Sequence, residues 1–391
     1  MAGINEIGAI LKKTIIQIIM NEDLENIENI ESEEDLFLFE QIQEDTDDYN
    51  EVPPDDIVAY NELRSCADLL RMYQSGQLEI KPDFQRDIVW SNTMQTRLVD
   101  SVVKQLPIPS LCISLDYKTQ ERFVIDGLQR ISSIVKFLDA ELTNEWKLSK
   151  LDDIDDRISG KTNVTIKTRY SELYTKVQNT VLPITVLRCD YSKKSHMNYL
   201  FTIFHRLNTG GSKLSNQEIR NCIYNGTFNT FLKNCVVSPN YIALFNINTA
   251  QIDRFSNEEM VLRFISFTYN HLTYKGQLAK FLNEFMDSNK KAPITKIDEY
   301  TDLFDRTISL LYTRILENQS LPRISKATTE ALFVGIAKNI TALEQMQDNQ
   351  LRDRYTALRQ DDLFSLDNLK EGLAQREKVI NRINKAIQIF G

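Results

Sequence analysis

Little in this chain of 391 residues is ready-made catalytic equipment. It has three histidines, His196, His205 and His271, and none in the last 120 residues, so no histidine-built metal centre is expected there. Its five cysteines (Cys66, Cys112, Cys189, Cys222 and Cys235) lack CxxC spacing, and three sit inside apolar runs. They read as buried thiols of a reducing cytoplasm. There is no G-x-G-x-x-G, no phosphate loop of the G-x-x-x-x-G-K type, no HExxH and no serine elbow. No apolar run approaches a membrane span, and Glu6, Lys12 and Lys13 in "MAGINEIGAILKKTIIQIIM" have the reverse order of an export signal. A cytoplasmic protein with no membrane partner is expected.

Basic residues are missing from residues 21–56, which hold 16 Asp and Glu. The net charge is −9 overall and +1 for residues 1–20, so residues 57–391 carry −9 + 16 − 1 = +6. An acidic, flexible arm on a mildly basic body is expected for residues 1–56. Two features could make the arm more than a linker. Ile4, Ile7, Leu11, Ile15 and Ile18 would line one face of an amphipathic helix, and "DLFLFEQI" places Leu36, Phe37, Leu38, Phe39 and Ile42 among the acids.

From Ile57 the pattern becomes compact. "IVAYNELRSCADLLRMYQSG" reads as a helix ended by Gly76. "LEIKPDFQRDIVW" is extended, because Pro82 restricts Lys81 and removes a donor. A helix follows over 92–105, capped by Ser91, with Met94, Leu98, Val99, Val102 and Val103 as its buried stripe. "PSLCISLD" and "ERFVIDG" are strands joined by "YKTQ", and the next helix buries Ile131, Ile134, Val135 and Leu138. "VLPITVLRCD" is a strand, and everything beyond Ser192 is helical in pattern. The fold class is α+β: a small mixed domain over 57–191, then an all-α domain over 192–391.

"VIDGLQRISS" places chemistry where the strand meets the helix. Gly127 supplies the turn, and the first N–H groups of the helix point outward unpaired, a terminus that favours an anion. Arg130 opposes the helix dipole there, so it needs a carboxylate or a phosphate beside it. If Asp126 simply pairs with Arg130, the motif is structural; if both face a cleft, Arg130 holds phosphate while Asp126 holds a magnesium ion or a ribose hydroxyl. Two further polar clusters lie in apolar surroundings: Gln85 and Arg86 beside Phe84 and Trp90, and Arg206, Asn208 and Thr209 before Gly210-Gly211. Ser215 with Glu218 is a capping box stapled by Leu214 and Ile219, and Ser256 with Glu259 repeats the device. Arg254 and Arg263 are assigned to ion pairs.

Taken in order, "PDFQRDIVW", "LPIPSLCIS", "VIDGLQRISSI" and "FHRLNTGGSKLSNQEIRN" resemble the DGQQR-motif family represented by the N-terminal, S half of GmrSD modification-dependent restriction enzymes. The resemblance runs from about Leu63 to Phe267, just over half of the chain. It implies a core similar to the ParB and sulfiredoxin fold over 57–191, binding and hydrolysing a nucleoside triphosphate with Mg2+, in a bacterial system that acts against foreign or modified DNA. By the same resemblance Asp126, Gln129 and Arg130 carry catalysis, with Asp126 holding the metal. Arg86, Gly127, Arg206, Asn208, Thr209 and Gly211 bind nucleotide.

Two departures qualify this. Leu128 stands where the family usually has Gln, giving DGLQR, so hydrolysis is weakened if that Gln touches nucleotide and unaffected if it faces the core. An HNH nuclease half, which many relatives carry, is not expected in a C-terminal region without histidine. The function expected is an NTP-binding and NTP-hydrolysing regulatory component of a restriction-type defence system, with DNA and a separate effector or nuclease subunit as further partners and an oligomer possible. The rival is a non-catalytic module that recognises DNA, a modified nucleotide or a phage protein.

Overall fold

The computed structural model describes residues 53–80, 90–139, 145–207, 214–247, 254–370 and 372–391. Two compact units divide it, one spanning Tyr49–Ile223 and a second holding Tyr224–Gly391. The division falls after Ile223, later than the change of pattern near residue 191. The expectations for the arm, Ile4 to Ile42, lie outside the described residues.

The first unit is α+β. Its strands are β1 (Val58–Ser65), β2 (Leu78–Glu79), β3 (Leu111–Asp116), β4 (Arg122–Asp126) and β5 (Val181–Cys189). They form one sheet in the order β1-β5-β3-β4-β2. β1 is antiparallel to β5, β5 parallel to β3, β3 antiparallel to β4 and β4 parallel to β2. Helices α1 (Cys66–Gln74), α2 (Asn92–Val103), α3 (Leu128–Leu138), α4 (Asn163–Arg169), α5 (Ser171–Asn179), α6 (Lys194–Leu207) and α7 (Asn216–Ile223) complete it.

Side-chain alternation sorts the sheet into two faces. Leu111, Ile113 and Leu115 of β3, Val124 of β4, and Leu182, Ile184 and Val186 of β5 enter one core with Leu69 of α1, Val99 and Val102 of α2, Ile131 and Ile134 of α3, and Val177 of α5. The opposite face carries Ser114 and Phe123. There Tyr191 stacks on Phe123 with ring centroids 4.9 Å apart, and its hydroxyl meets the Ser114 hydroxyl at 2.6 Å. Helix α6 packs against β4 on its way from the end of β5.

Most of this was expected, with three corrections. Val58–Ser65 is a strand rather than the first half of a helix, because it pairs along its whole length with β5, from Val58 opposite Arg188 to Ser65 opposite Val181. Ser65 then caps α1 by accepting from the Asp68 N–H at 3.1 Å. Met94 is 48% exposed, not part of the buried stripe of α2, although Ser91 caps that helix as expected, accepting from the Met94 N–H at 3.3 Å. Finally, Ser256 lies inside a helix that already runs from Arg254 to Asn270.

The second unit is helical: α8 (Thr227–Val236), α9 (Pro239–Leu244), α10 (Arg254–Asn270), α11 (Leu278–Asn289), α12 (Ile294–Ser309), α13 (Lys326–Lys338), α14 (Ile340–Leu343), α15 (Asp348–Gln360), α16 (Leu366–Leu369) and α17 (Arg376–Phe390). Among the described residues no helix is long and apolar enough to cross a membrane. Arg263 of α10 pairs with Glu259 at 2.9 Å and with Glu330 of α13 at 3.7 Å, all three buried, as the assignment of Arg263 to ion pairs anticipated.

Helices α13 and α17 approach closely at Gly335, where a Cβ would stand 2.8 Å from the Ala386 carbonyl oxygen and 3.0 Å from its Cβ. Gly335→Ala is therefore expected to destabilise the unit by about 1 kcal/mol net. Overpacking costs roughly 1 to 3 kcal/mol, while the better helix propensity of alanine returns about 1. Urea unfolding followed by circular dichroism measures the difference.

Candidate functional site

The junction of β4 with α3 is built around a shift of register. Ile113 lies opposite Val124, but its neighbour Cys112 lies opposite Asp126, so Ile125 is an extra residue in β4. An extra residue reverses the alternation that follows it. Without it Asp126 would share the face of Val124 and enter the apolar core; with it, Asp126 shares the face of Cys112. The irregularity therefore places a carboxylate at the surface end of a strand whose preceding residues are buried.

Gly127 makes the next step possible. Its φ is +91°, in the left-handed region that side chains rarely adopt. A Cβ there would meet Leu111 Cδ2 at 2.3 Å and the Arg130 guanidinium at 3.2 Å. The bare glycine lets Arg130 fold back over the turn. Arg130 Nη2 donates to Asp126 Oδ2 at 2.8 Å, while Nη1 donates to the Pro109 carbonyl at 2.5 Å and approaches that of Ser110 at 3.4 Å. The Asp-Gly-x-x-Arg spacing is thus a local clamp that ties the segment before β3 to the strand-helix turn.

The clamp is partly open to solvent, with the Arg130 side chain 13% and that of Asp126 37% exposed. No side chain caps α3, whose first backbone bond runs from the Ile131 N–H to the Gly127 carbonyl at 2.9 Å. The N–H groups ahead of it add their positive end to the guanidinium. On the same turn, Gln129 Oε1 is buried and has no hydrogen-bond partner among the described residues. Leaving such an acceptor unpaired costs roughly 1 to 3 kcal/mol, which a donor on a ligand would recover. Leu128 is partly buried and packs against the hydrophobic core.

Cys112, opposite Asp126, is 7% exposed, and burial, with a smaller contribution from the Asp126 charge, pushes its thiol up to about 12. It is a neutral thiol at physiological pH, not a nucleophile. As to metal, no three His, Cys, Asp or Glu side chains among the described residues converge to hold an ion. Asp126 has one oxygen on Arg130. It suits Mg2+ only as a single carboxylate ligand, with nucleotide phosphates and water completing the shell, a common arrangement for this ion.

The turn brings together Asp126, Gly127, Gln129 and Arg130. Arg206 lies at the exposed end of α6, and Arg86, Asn208, Thr209 and Gly211 lie outside the described residues. Trp90 is partly buried against the core. The Ser215 capping box forms as expected: the Ser215 N–H donates to Glu218 Oε2 at 2.7 Å and the Glu218 N–H to Ser215 Oγ at 3.2 Å.

A second polar cluster was not foreseen. The Asp190 N–H donates to His196 Nδ1 at 3.0 Å, so the other ring nitrogen carries the proton and meets Asp56 Oδ1 at 2.8 Å. Lys193 pairs with the same carboxylate. Asp56, read in sequence as the end of the acidic arm, is anchored on the start of α6. The hydrogen bond from Lys193, and then that from His196, hold its carboxyl down to about 2. A depressed carboxyl contributes stability above the unfolded value, near 3.9, that is lost as pH falls through the folded value. The urea midpoint of the wild type should therefore exceed that of Asp56→Asn above pH about 4, and the two should converge toward pH about 2.

Comparison with known proteins bears on the same unit. Residues 66–225 match the family model described as the GmrSD restriction endonuclease N-terminal domain. The searches of curated proteins and of solved structures gave no match. The match covers β2 to β5, the clamp at Asp126 and Arg130, and the Ser215 capping box. Residues 66–225 of this chain, which include the Asp-Gly-x-x-Arg turn, are thus similar to the GmrSD restriction endonuclease N-terminal domain.

Proposed function

We propose that the chain is an NTP-binding and NTP-hydrolysing regulatory component of a restriction-type defence system. The observation that carries this reading is the guanidinium of Arg130 held over Gly127 at the uncapped start of α3, beside a carboxylate that a strand irregularity turns out of the core. Phosphate oxygens would accept from the α3 N–H groups and from Arg130, both preorganised before the ligand arrives. Mg2+, when bound with the nucleotide, supplies charge neutralisation at the phosphates. Asp126 would offer its second oxygen to that ion, and Gln129 would accept a hydrogen bond from the ligand or from an attacking water. The helical unit would relay nucleotide state to DNA or to a separate effector.

A binding module without catalysis is the second reading, and one feature favours it. Leu128 is committed to the core and Asp126 to Arg130, which leaves Gln129 as the uncommitted polar side chain of the motif. Asp126→Asn separates the readings, since it keeps the shape of the clamp while removing the negative charge. Under the enzymatic reading the variant binds triphosphate as well as the wild type but releases phosphate at least about tenfold more slowly, the scale of one lost catalytic group. Nucleotide binding with no release by the wild type, for any of the four NTPs with Mg2+ and with or without DNA, establishes the module instead.

A further inference from the structure

The clamp is one end of a polar row that crosses the sheet. Asp126 pairs with Cys112, Cys112 with Thr185, and Thr185 with Asn61, so one register line joins four strands and ends on the edge strand β1. Hydrogen bonds follow the same line. Arg130 donates to the Pro109 carbonyl and approaches that of Ser110; the Ser110 hydroxyl lies 3.4 Å from the Thr185 hydroxyl; and Thr185 donates to Asn61 Oδ1 at 2.9 Å. That bond fixes the Asn61 carboxamide with its NH2 end turned away from Thr185. Asn61 and Ser110 are exposed and Thr185 half-buried, so these three are accessible, while Cys112, between Thr185 and Asp126 on the register line, is buried.

One step along the strands, on the face of Asn61 and Thr185, Leu63 lies opposite Pro183 and Ser65 opposite Val181. Leu63 is 74% exposed and Val181 50%. The surface therefore changes in order from a charged end at Asp126 and Arg130, through neutral donors and acceptors at Ser110, Thr185 and Asn61, to an open apolar ledge. Three strand spacings, roughly 14 Å, separate its charged end from Asn61.

We propose that this strip is the nucleoside subsite of the phosphate site at α3: Ser110, Thr185 and Asn61 take the ribose hydroxyls, and the base lies over Leu63, Pro183 and Val181. Phosphate, sugar and base have the same sequence of chemistry as the surface, charged, then hydroxylic, then a flat apolar face. A nucleic-acid backbone would instead need repeated positive charge along the row, and Arg130 is the cation this line contains. The inference rests on the phosphate-binding reading above.

The test is equilibrium binding to the full chain by calorimetry, with inorganic tripolyphosphate, ATP and dATP as probes. In the wild type, ATP should bind more tightly than both dATP and tripolyphosphate. Asn61→Ala and Thr185→Val should each weaken ATP by roughly fivefold, the net worth of about one hydrogen bond, and reduce the preference over dATP while leaving tripolyphosphate affinity unchanged. Leu63→Asp should weaken ATP and dATP alike. If tripolyphosphate binds but the wild type treats ATP, dATP and tripolyphosphate equally, the subsite is wrong and the phosphate site stands; this measurement needs no variant to fold. Equal loss of all three probes in the variants assigns the row to structure and overturns the subsite. If tripolyphosphate does not bind the wild type, the phosphate-site reading fails and takes the subsite with it.

Discussion

Under the enzymatic reading, Arg130→Ala is expected to lower the rate of phosphate release by about a hundredfold, the scale seen when one preorganised donor to a developing anion is removed. Arg130 supplies the fixed cation of the site, and its position is set from two sides. Asp126 holds one terminal nitrogen at 2.8 Å and the Pro109 carbonyl holds the other at 2.5 Å. Arg130→Lys keeps the charge but not the fork that spans both acceptors, so it should recover part of the activity. The fold should tolerate both changes better than the activity does: Asp126 and Pro109 are reachable by water, which would replace the lost donor. Phosphate release at saturating nucleotide, read beside a thermal melt of the same preparation, checks this. An Arg130→Ala protein that melts like the wild type and turns over equally fast would remove Arg130 from the site.

The elements that sequence pattern revealed are those stabilised by their own periodicity and caps. The two strands on either side of "YKTQ", the buried stripe of α3, the Ser91 cap and the Ser215 box all depend on residues within one turn or one strand of each other. β1 was misread because its partner is distant in sequence. Val58 pairs with Arg188, and "YNELR" contains good helix formers, so nothing local marks it as an edge strand. Ser65 accounts for the rest of the error, because the helix is real but begins after that cap.

At the site, sequence singled out Asp126, Gly127 and Arg130 and posed an Asp126–Arg130 pair as the structural alternative to a shared cleft. The pair forms. What sequence could not disclose is that Ile125 is an extra residue, because this is a relation between β4 and β3 rather than a property of either strand. The same holds for the row from Cys112 through Thr185 to Asn61, which exists only once three non-consecutive strands are in register. Asp56 was read with the acids around it, whereas its partners Lys193 and His196 lie about 140 residues away along the chain.

Among the described glycines of the first unit, Gly127→Ala should be the most damaging, and Gly76→Ala shows how much of the damage is steric. Both glycines have positive φ, +91° at Gly127 and +71° at Gly76. A side chain in that region costs roughly 1 to 2 kcal/mol through the backbone alone. At Gly76 a Cβ would meet nothing within 4 Å, so Gly76→Ala should lose about that much and no more. At Gly127 the Cβ would overlap Leu111 Cδ2 at 2.3 Å and crowd the Arg130 guanidinium at 3.2 Å. Leu111 is fully buried in the core and cannot swing outward, so overpacking should add roughly 1 to 3 kcal/mol. Displacing Arg130 would also loosen its bond to Asp126. Gly127→Ala is therefore expected to cost about 3 kcal/mol and to lower triphosphate affinity, with Gly76→Ala unchanged in affinity. Urea unfolding of both variants, with calorimetric titration of tripolyphosphate, measures the two effects. Equal losses of stability at the two positions would mean that the turn has room to relax, and that the close approach of Arg130 to Gly127 does not depend on the missing side chain.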